Sequence, residues 1–162
     1  MLSLDQLDEY SRLAVPLILA RFPEWEPWAS LLTGHGPSEA AVEFRVPSPS
    51  TAVLSGLWVS TDGGELSVGF DHHHTHFMAY NGDDRQQIES GLEYASDFIE
   101  ERAGVISWYI DGRFAGSCSV ELPHPARLPR LMETLAGSRP NQRDCNLIVL
   151  RSWTGRFDRE EE

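Results

Sequence analysis

The chain has 162 residues, a hydrophobic fraction of 41% and five tryptophans, enough to bury a core as one domain of ordinary size. Its 25 acids and 13 bases leave a formal net charge of −12, which repels nucleic-acid phosphates and argues against DNA or RNA as a partner. No apolar run can span a bilayer, the start MLSLDQLDEY has no basic signal-peptide segment, and the absence of lysine excludes Schiff-base chemistry, so a soluble cytoplasmic protein without membrane contact is expected.

Ser3 followed by Gln6 predicts a capping box ahead of a helix with Leu4, Leu7, Leu13, Leu17 and Ile18 on its apolar side. Pro16 should kink or divide that helix, because it removes a backbone donor and clashes with the preceding turn. Pro23 and Pro27 end regular structure, with Trp25 and Trp28 over the edge of the core. Three strands follow: AAVEFRV, VLSGLWVS and ELSVGF, the last two joined by the turn TDGG. Period-two alternation puts Leu66, Val68 and Phe70 on one face and Glu65, Ser67 and Asp71 on the other.

Residues 83–103 predict a helix capped by Asp83 or Asp84 and closed by Gly104. Its apolar stripe is Ile88, Leu92, Ala95, Phe98 and Ile99. VISWYI and RFAGSCSVE flank Asp111-Gly112, a strong hairpin signal. Residues 125–137 predict a short helix with Leu128, Leu131, Met132 and Leu135 on one side, CNLIVLRSW a last strand, and residues 155–162 a frayed acidic tail. Cys118 and Cys145 form no CxxC pair and read as reduced core thiols. The element order implies a single α+β domain over 1–162: a mainly antiparallel sheet of about six strands with two to three packed helices.

The densest chemistry is FDHHHTHF, residues 70–77. If the third strand runs through Phe77, then His72, His74 and His76 share the face of Phe70 and Val68, while Asp71 and His73 point to the opposite, more exposed face. Three imidazoles on one face suggest zinc in a metal-binding protein or metal-dependent hydrolase. Against this, same-face strand positions lie roughly 6.6–6.8 Å apart, so three rings need a bend to converge. The reading preferred here is structural: His74 and His76 hydrogen-bonded, with no metal and no cofactor. GxSxG, HExxH and phosphate-cradling glycine loops are absent, so a non-enzyme is expected.

Two stretches resemble a family of small bacterial immunity proteins encoded beside polymorphic toxins, including those of contact-dependent growth inhibition. The first is F-D-x-x-H-x-H-F, matched by Phe70, Asp71, His74, His76 and Phe77; the second is R-S-W-x-G, matched by Arg151, Ser152, Trp153 and Gly155. The hairpin DGRFAGS also fits, and the resemblance runs from about Trp58 onward. It implies a protein that binds a cognate toxin domain and occludes its active or substrate-binding site. An acidic surface complements the basic cleft of a nuclease toxin. The candidate partner-binding residues are Glu65, Asp71, His73, Asp83, Asp84 and Trp153.

Overall fold

The computed structural model describes residues 3–32, 40–79, 82–123, 128 and 145–161. Their fold is α+β, with two helices, short 3-10 turns and two antiparallel sheets. The chain divides into two compact units. The first comprises Met1–Pro47, Gly56–Gly69 and His74–Ser96; the second comprises Ser48–Ser55, Phe70–His73 and Asp97–Glu162. The passage at Pro47–Ser48 lies in the Pro/Ser-rich stretch PSPS, whereas those at Gly69–Phe70, His73–His74 and Ser96–Asp97 fall inside strands and a helix.

In the first unit, helix α1 spans Glu9–Arg21. The cap is Asp8, whose carboxylate accepts from Ser11 N at 2.6 Å and Ser11 Oγ at 2.9 Å. The expected capping box is not formed: Ser3 makes no side-chain cap, and Leu4–Gln6 is a single 3-10 turn. Pro16 sits inside a continuous helix. Its buried side is Ser11, Ala14, Val15 and Ile18, whereas Leu4 and Leu13 are exposed. The deciding contact is Ser11 Oγ to Thr61 Oγ1 at 2.6 Å, fully buried. Thr61 Oγ1 also accepts from Val42 N at 2.9 Å, so one hydroxyl joins helix and sheet.

The first sheet has the order β1-β2-β3-β4-β5. These strands are Ala29–Leu32, Ala41–Val46, Leu57–Ser60, Leu66–Phe70 and His73–Phe77. Val42, Phe44, Leu57, Val59, Leu66 and Val68 are buried, with Trp25 stacked on Phe22 at 4.0 Å and 6.4 Å from Phe44. Helix α2 spans Asp84–Ile99 and buries Ile88, Leu92 and Ala95 in this unit, as the stripe predicts. Asp83 is its cap, accepting from Gln86 N at 2.9 Å.

The helix predicted over 83–103 ends at Ile99. Arg102 N bonds Asp97 O at 2.8 Å and Glu101 N bonds Phe98 O at 3.0 Å, a Schellman termination with Glu101 left-handed at φ 54°. Gly104, expected as the terminator, instead lies in strand β6, Ala103–Ile110, where a Cβ would stand 2.8 Å from Arg151 O.

The second unit holds the sheet β7-β6-β8-β9, with β6 Ala103–Ile110, β7 Arg113–Glu121, β8 Leu147–Arg151 and β9 Arg159–Glu161. Asp111 and Gly112 turn the predicted hairpin with φ of 51° and 74°. Ile106, Trp108, Ile148, Leu150 and Leu128 form the core. Leu128 is the one described residue of the helix expected over 125–137 and is helical; the rest of that segment lies outside the described residues. Cys118 pairs with Ile106, whereas Cys145 precedes β8, whose Leu147 pairs with Tyr109; neither is in a disulfide.

Two further expectations need correction. The tail is not frayed over its described residues, 155–161: Arg159, Glu160 and Glu161 pair with Leu150, Val149 and Ile148. The α+β, antiparallel fold is as expected, but its strands form sheets of five and four rather than one of about six: β1 and β9 carry too little apolar alternation to read as strands, and β5 reads as a continuation of the third strand.

Candidate interaction site

FDHHHTHF is not a strand end. Phe70 closes β4, Asp71 and His72 form a two-residue turn, and His73 opens β5. Asp71 takes φ 52°, a left-handed conformation that aspartate tolerates better than most residues. Its amide bonds Ser55 O at 3.0 Å, its carbonyl accepts from Ser55 Oγ at 2.7 Å, and its carboxylate accepts from Leu54 N at 2.8 Å. The turn resets the side-chain alternation. His74 and His76 are therefore exposed, whereas His73, Thr75 and Phe77 are half-buried, the reverse of the expected faces. Thr75 lies 3.4 Å from the Tyr94 hydroxyl and Phe77 packs on the Tyr94 ring at 5.6 Å, which orients this side of β5 toward α2.

On the outer face of the first sheet, Trp58, His74 and His76 form a row. Ring centroids are 5.9 Å apart for Trp58 and His74, and 5.0 Å for His74 and His76. Gly69 lies beneath the indole, where a Cβ would come within 2.2 Å of it. His76 Nδ1 is 2.5 Å from Glu65 Oε1 and 2.8 Å from Ser67 Oγ. This is not a hydrolase triad, because hydroxyl and carboxylate share one ring nitrogen instead of taking opposite ones.

His72 and His73 belong to the second unit. The His72 ring stacks on Phe114 at 4.8 Å and meets Tyr109 edge-on at 6.3 Å, and its carbonyl accepts from Ser117 Oγ at 3.0 Å. His73 Nδ1 lies 3.5 Å from the same hydroxyl. Burial first, then the nearby carboxylates of Asp71 and Glu160, push the Tyr109 phenol above its ordinary range against the opposing charge of Arg151. The three even-numbered histidines thus do not gather as a metal site. Among the described residues, no group of three or more His, Cys, Asp or Glu side chains is placed to hold an ion.

A cleft of about 440 Å³ opens in the first unit, lined by Asp8, Glu9, Tyr10, Asp62 and the backbone of Gly63 and Gly64, with Leu32 and Ala41 as its apolar part. The Tyr10 phenol is pushed well above its ordinary range by burial and by the negative charges of Asp84 and Glu65. Five carboxylates from three segments therefore surround or face one region: Asp8 and Glu9 at the start of α1, Asp62 and Glu65 at the turn before β4, and Asp84 at the start of α2. Sequence reading singled out Glu65 and Asp84 there and missed Asp8, Glu9, Tyr10 and Asp62. The DGG of the turn and the acids before α1 were visible, but their convergence depends on the Ser11–Thr61 contact.

No family model, no curated protein and no solved structure matches this chain.

The six candidate partner-binding residues are divided equally between the units. Glu65, Asp83 and Asp84 lie in the first, with Asp83 exposed and Glu65 engaged by His76. Asp71, His73 and Trp153 lie in the second, each with a structural task. Trp153 packs on Phe70 at 5.9 Å and its carbonyl accepts from Ser48 Oγ at 2.6 Å. The rest of the R-S-W-x-G stretch is equally tied down: Ser152 N donates to Asp158 Oδ1 at 2.7 Å, Phe157 N donates to Ser152 Oγ at 3.0 Å, and Gly155 turns at φ 82°.

Proposed function

We propose that this chain is an immunity protein, which binds a cognate toxin domain and neutralises it by covering its active or substrate-binding site. The observation that carries the reading is the acidic cleft of the first unit, where Asp8, Glu9 and Asp62 line a cavity of about 440 Å³ and Glu65 and Asp84 add negative potential at Tyr10. A cavity of that size admits a basic side chain. A toxin that acts on nucleic acid presents such side chains at its substrate cleft, so a net charge of −12 attracts it over distance and the carboxylates pair with it at contact. A fast encounter suits an inhibitor that must act before its target does. Neutralisation by occupancy asks for no catalytic group. The resemblance of FDHHHTHF and RSWTG to immunity proteins supports the same reading.

The test is co-expression with the protein encoded by the adjacent upstream gene, scored by growth and by isolation of a complex. Growth should be restored, the complex should hold one copy of each chain, and added salt should weaken it. Glu9→Arg should weaken the complex while lowering the unfolding temperature only slightly, through the loss of a favourable charge in the first turn of α1. Loss of growth despite co-expression, or a hydrolytic activity of this chain that vanishes in His74→Ala, rejects the proposal.

A further inference from the structure

His74 and His76 occupy alternate positions of β5 and are both exposed on the outer face of the first sheet. Glu65 Oε1 stands 2.5 Å from His76 Nδ1. An ionised carboxylate only accepts, so the proton between them sits on Nδ1 and the neutral ring keeps a lone pair on Nε2. A carboxylate fixing the tautomer and orientation of an imidazole in this way is the usual support behind a metal-binding histidine. The ring centroids of His74 and His76 are 5.0 Å apart. Two imidazoles sharing one tetrahedral ion, each bonded at about 2.0–2.1 Å, have ring centres about 5 Å apart. The angle of 86° between the rings is compatible with this, because each ring can turn about its own metal–nitrogen bond.

We propose that His74 and His76 form a two-imidazole site for a transition-metal dication of the zinc or copper class. Glu65 is its positioning residue, and water fills the remaining coordination positions. Two neutral nitrogen donors select this class over calcium or magnesium, which take oxygen ligands. With no third protein ligand among the described residues, the site is open, unlike a closed structural zinc centre. His72 and His73 take no part, since their contacts lie with Phe114, Tyr109 and Ser117 in the second unit. The site does not depend on the toxin-binding reading, because neither histidine lines the acidic cleft.

The experiment is titration of untagged protein with zinc chloride and, separately, copper sulfate at neutral pH, followed by calorimetry and by imidazole resonances in NMR. One ion should bind per chain, and the ring signals of His74 and His76 should move with zinc while those of His72 stay in place. His74→Ala and His76→Ala should each weaken binding at least about tenfold, since each removes one of two ligands. Glu65→Ala should weaken it about 10–100-fold, with Glu65→Gln, which still accepts from Nδ1, recovering part of the loss. His72→Ala should bind as the parent does. No binding of either ion at about 0.1 mM, or equal affinity in His74→Ala, overturns the proposal. Shift mapping on the unaltered protein decides the matter even if a variant folds poorly.

Discussion

Glu101 and Thr154 are joined twice: the Glu101 carboxylate accepts from Thr154 N at 3.0 Å and from Thr154 Oγ1 at 2.6 Å. A residue that ends a helix in the left-handed conformation thereby anchors the loop between β8 and β9. Partial burial opposes its charge, but the hydrogen bonds from Thr154 and Ser152 and the attraction of Arg156 outweigh burial, holding the carboxyl below its ordinary value of 4.5. A carboxylate depressed in the folded state contributes stability above the unfolded value and loses it as pH falls through the folded one. Native protein should therefore exceed Glu101→Gln in unfolding temperature at neutral pH, and the gap should close as pH falls below 4.5. A gap unchanged down to about pH 3 would contradict this. Thr154 amide exchange should quicken in Glu101→Ala at neutral pH.

Asp71 combines a positive φ with an acceptor for Leu54 N. Asn keeps both properties, Gly keeps only the backbone freedom, and Val keeps neither. Stability should fall in the order Asp71→Asn, Asp71→Gly, Asp71→Val, with the last costing about 2–3 kcal/mol. Denaturant midpoints check the order, and Val tolerated as well as Asn would refute it.

Gly69 supports the Trp58 ring at a distance that leaves no room for a methyl group. Gly69→Ala should cost about 1–3 kcal/mol and displace the indole. Trp58→Ala in the same background should remove most of that penalty, because the clash then has no partner. Chemical denaturation of the single and double variants measures the coupling; additive effects would show that the ring is not the obstacle.

Leu92 is 5% exposed, between Ile88 and Ala95 on the buried side of α2. Leu92→Ala should cost about 2–5 kcal/mol through lost burial and a residual cavity. An unchanged denaturant midpoint would place this helix face in solvent.

Where local pattern and tertiary demand coincide, the elements are legible in the amino acids alone. The stripe of Ile88, Leu92, Ala95 and Phe98 demands a helix with one apolar side, and Asp111-Gly112 demands a tight turn between strands. Both need only neighbouring residues. The end of α2 is different: Gly104 was the best local terminator, yet Glu101 takes the left-handed position, where Thr154, more than fifty residues on, supplies donors for its carboxylate. The buried side of α1 is set likewise by Ser11 meeting Thr61, and no helical period of leucines discloses that.

The histidines mark the same boundary. Their number, spacing and acidic surroundings are sequence facts, and alternation correctly makes His74 and His76 a pair. Which face that pair takes is not local. Alternation holds only within one strand, and two residues of turn at Asp71 and His72 separate β4 from β5. Asp71 can hold that turn because Leu54 and Ser55 stand beside it to exchange hydrogen bonds. Strand pairing therefore sends His74 and His76 to the outer face, beside Trp58 and Glu65, and leaves His72 with Phe114 and Tyr109.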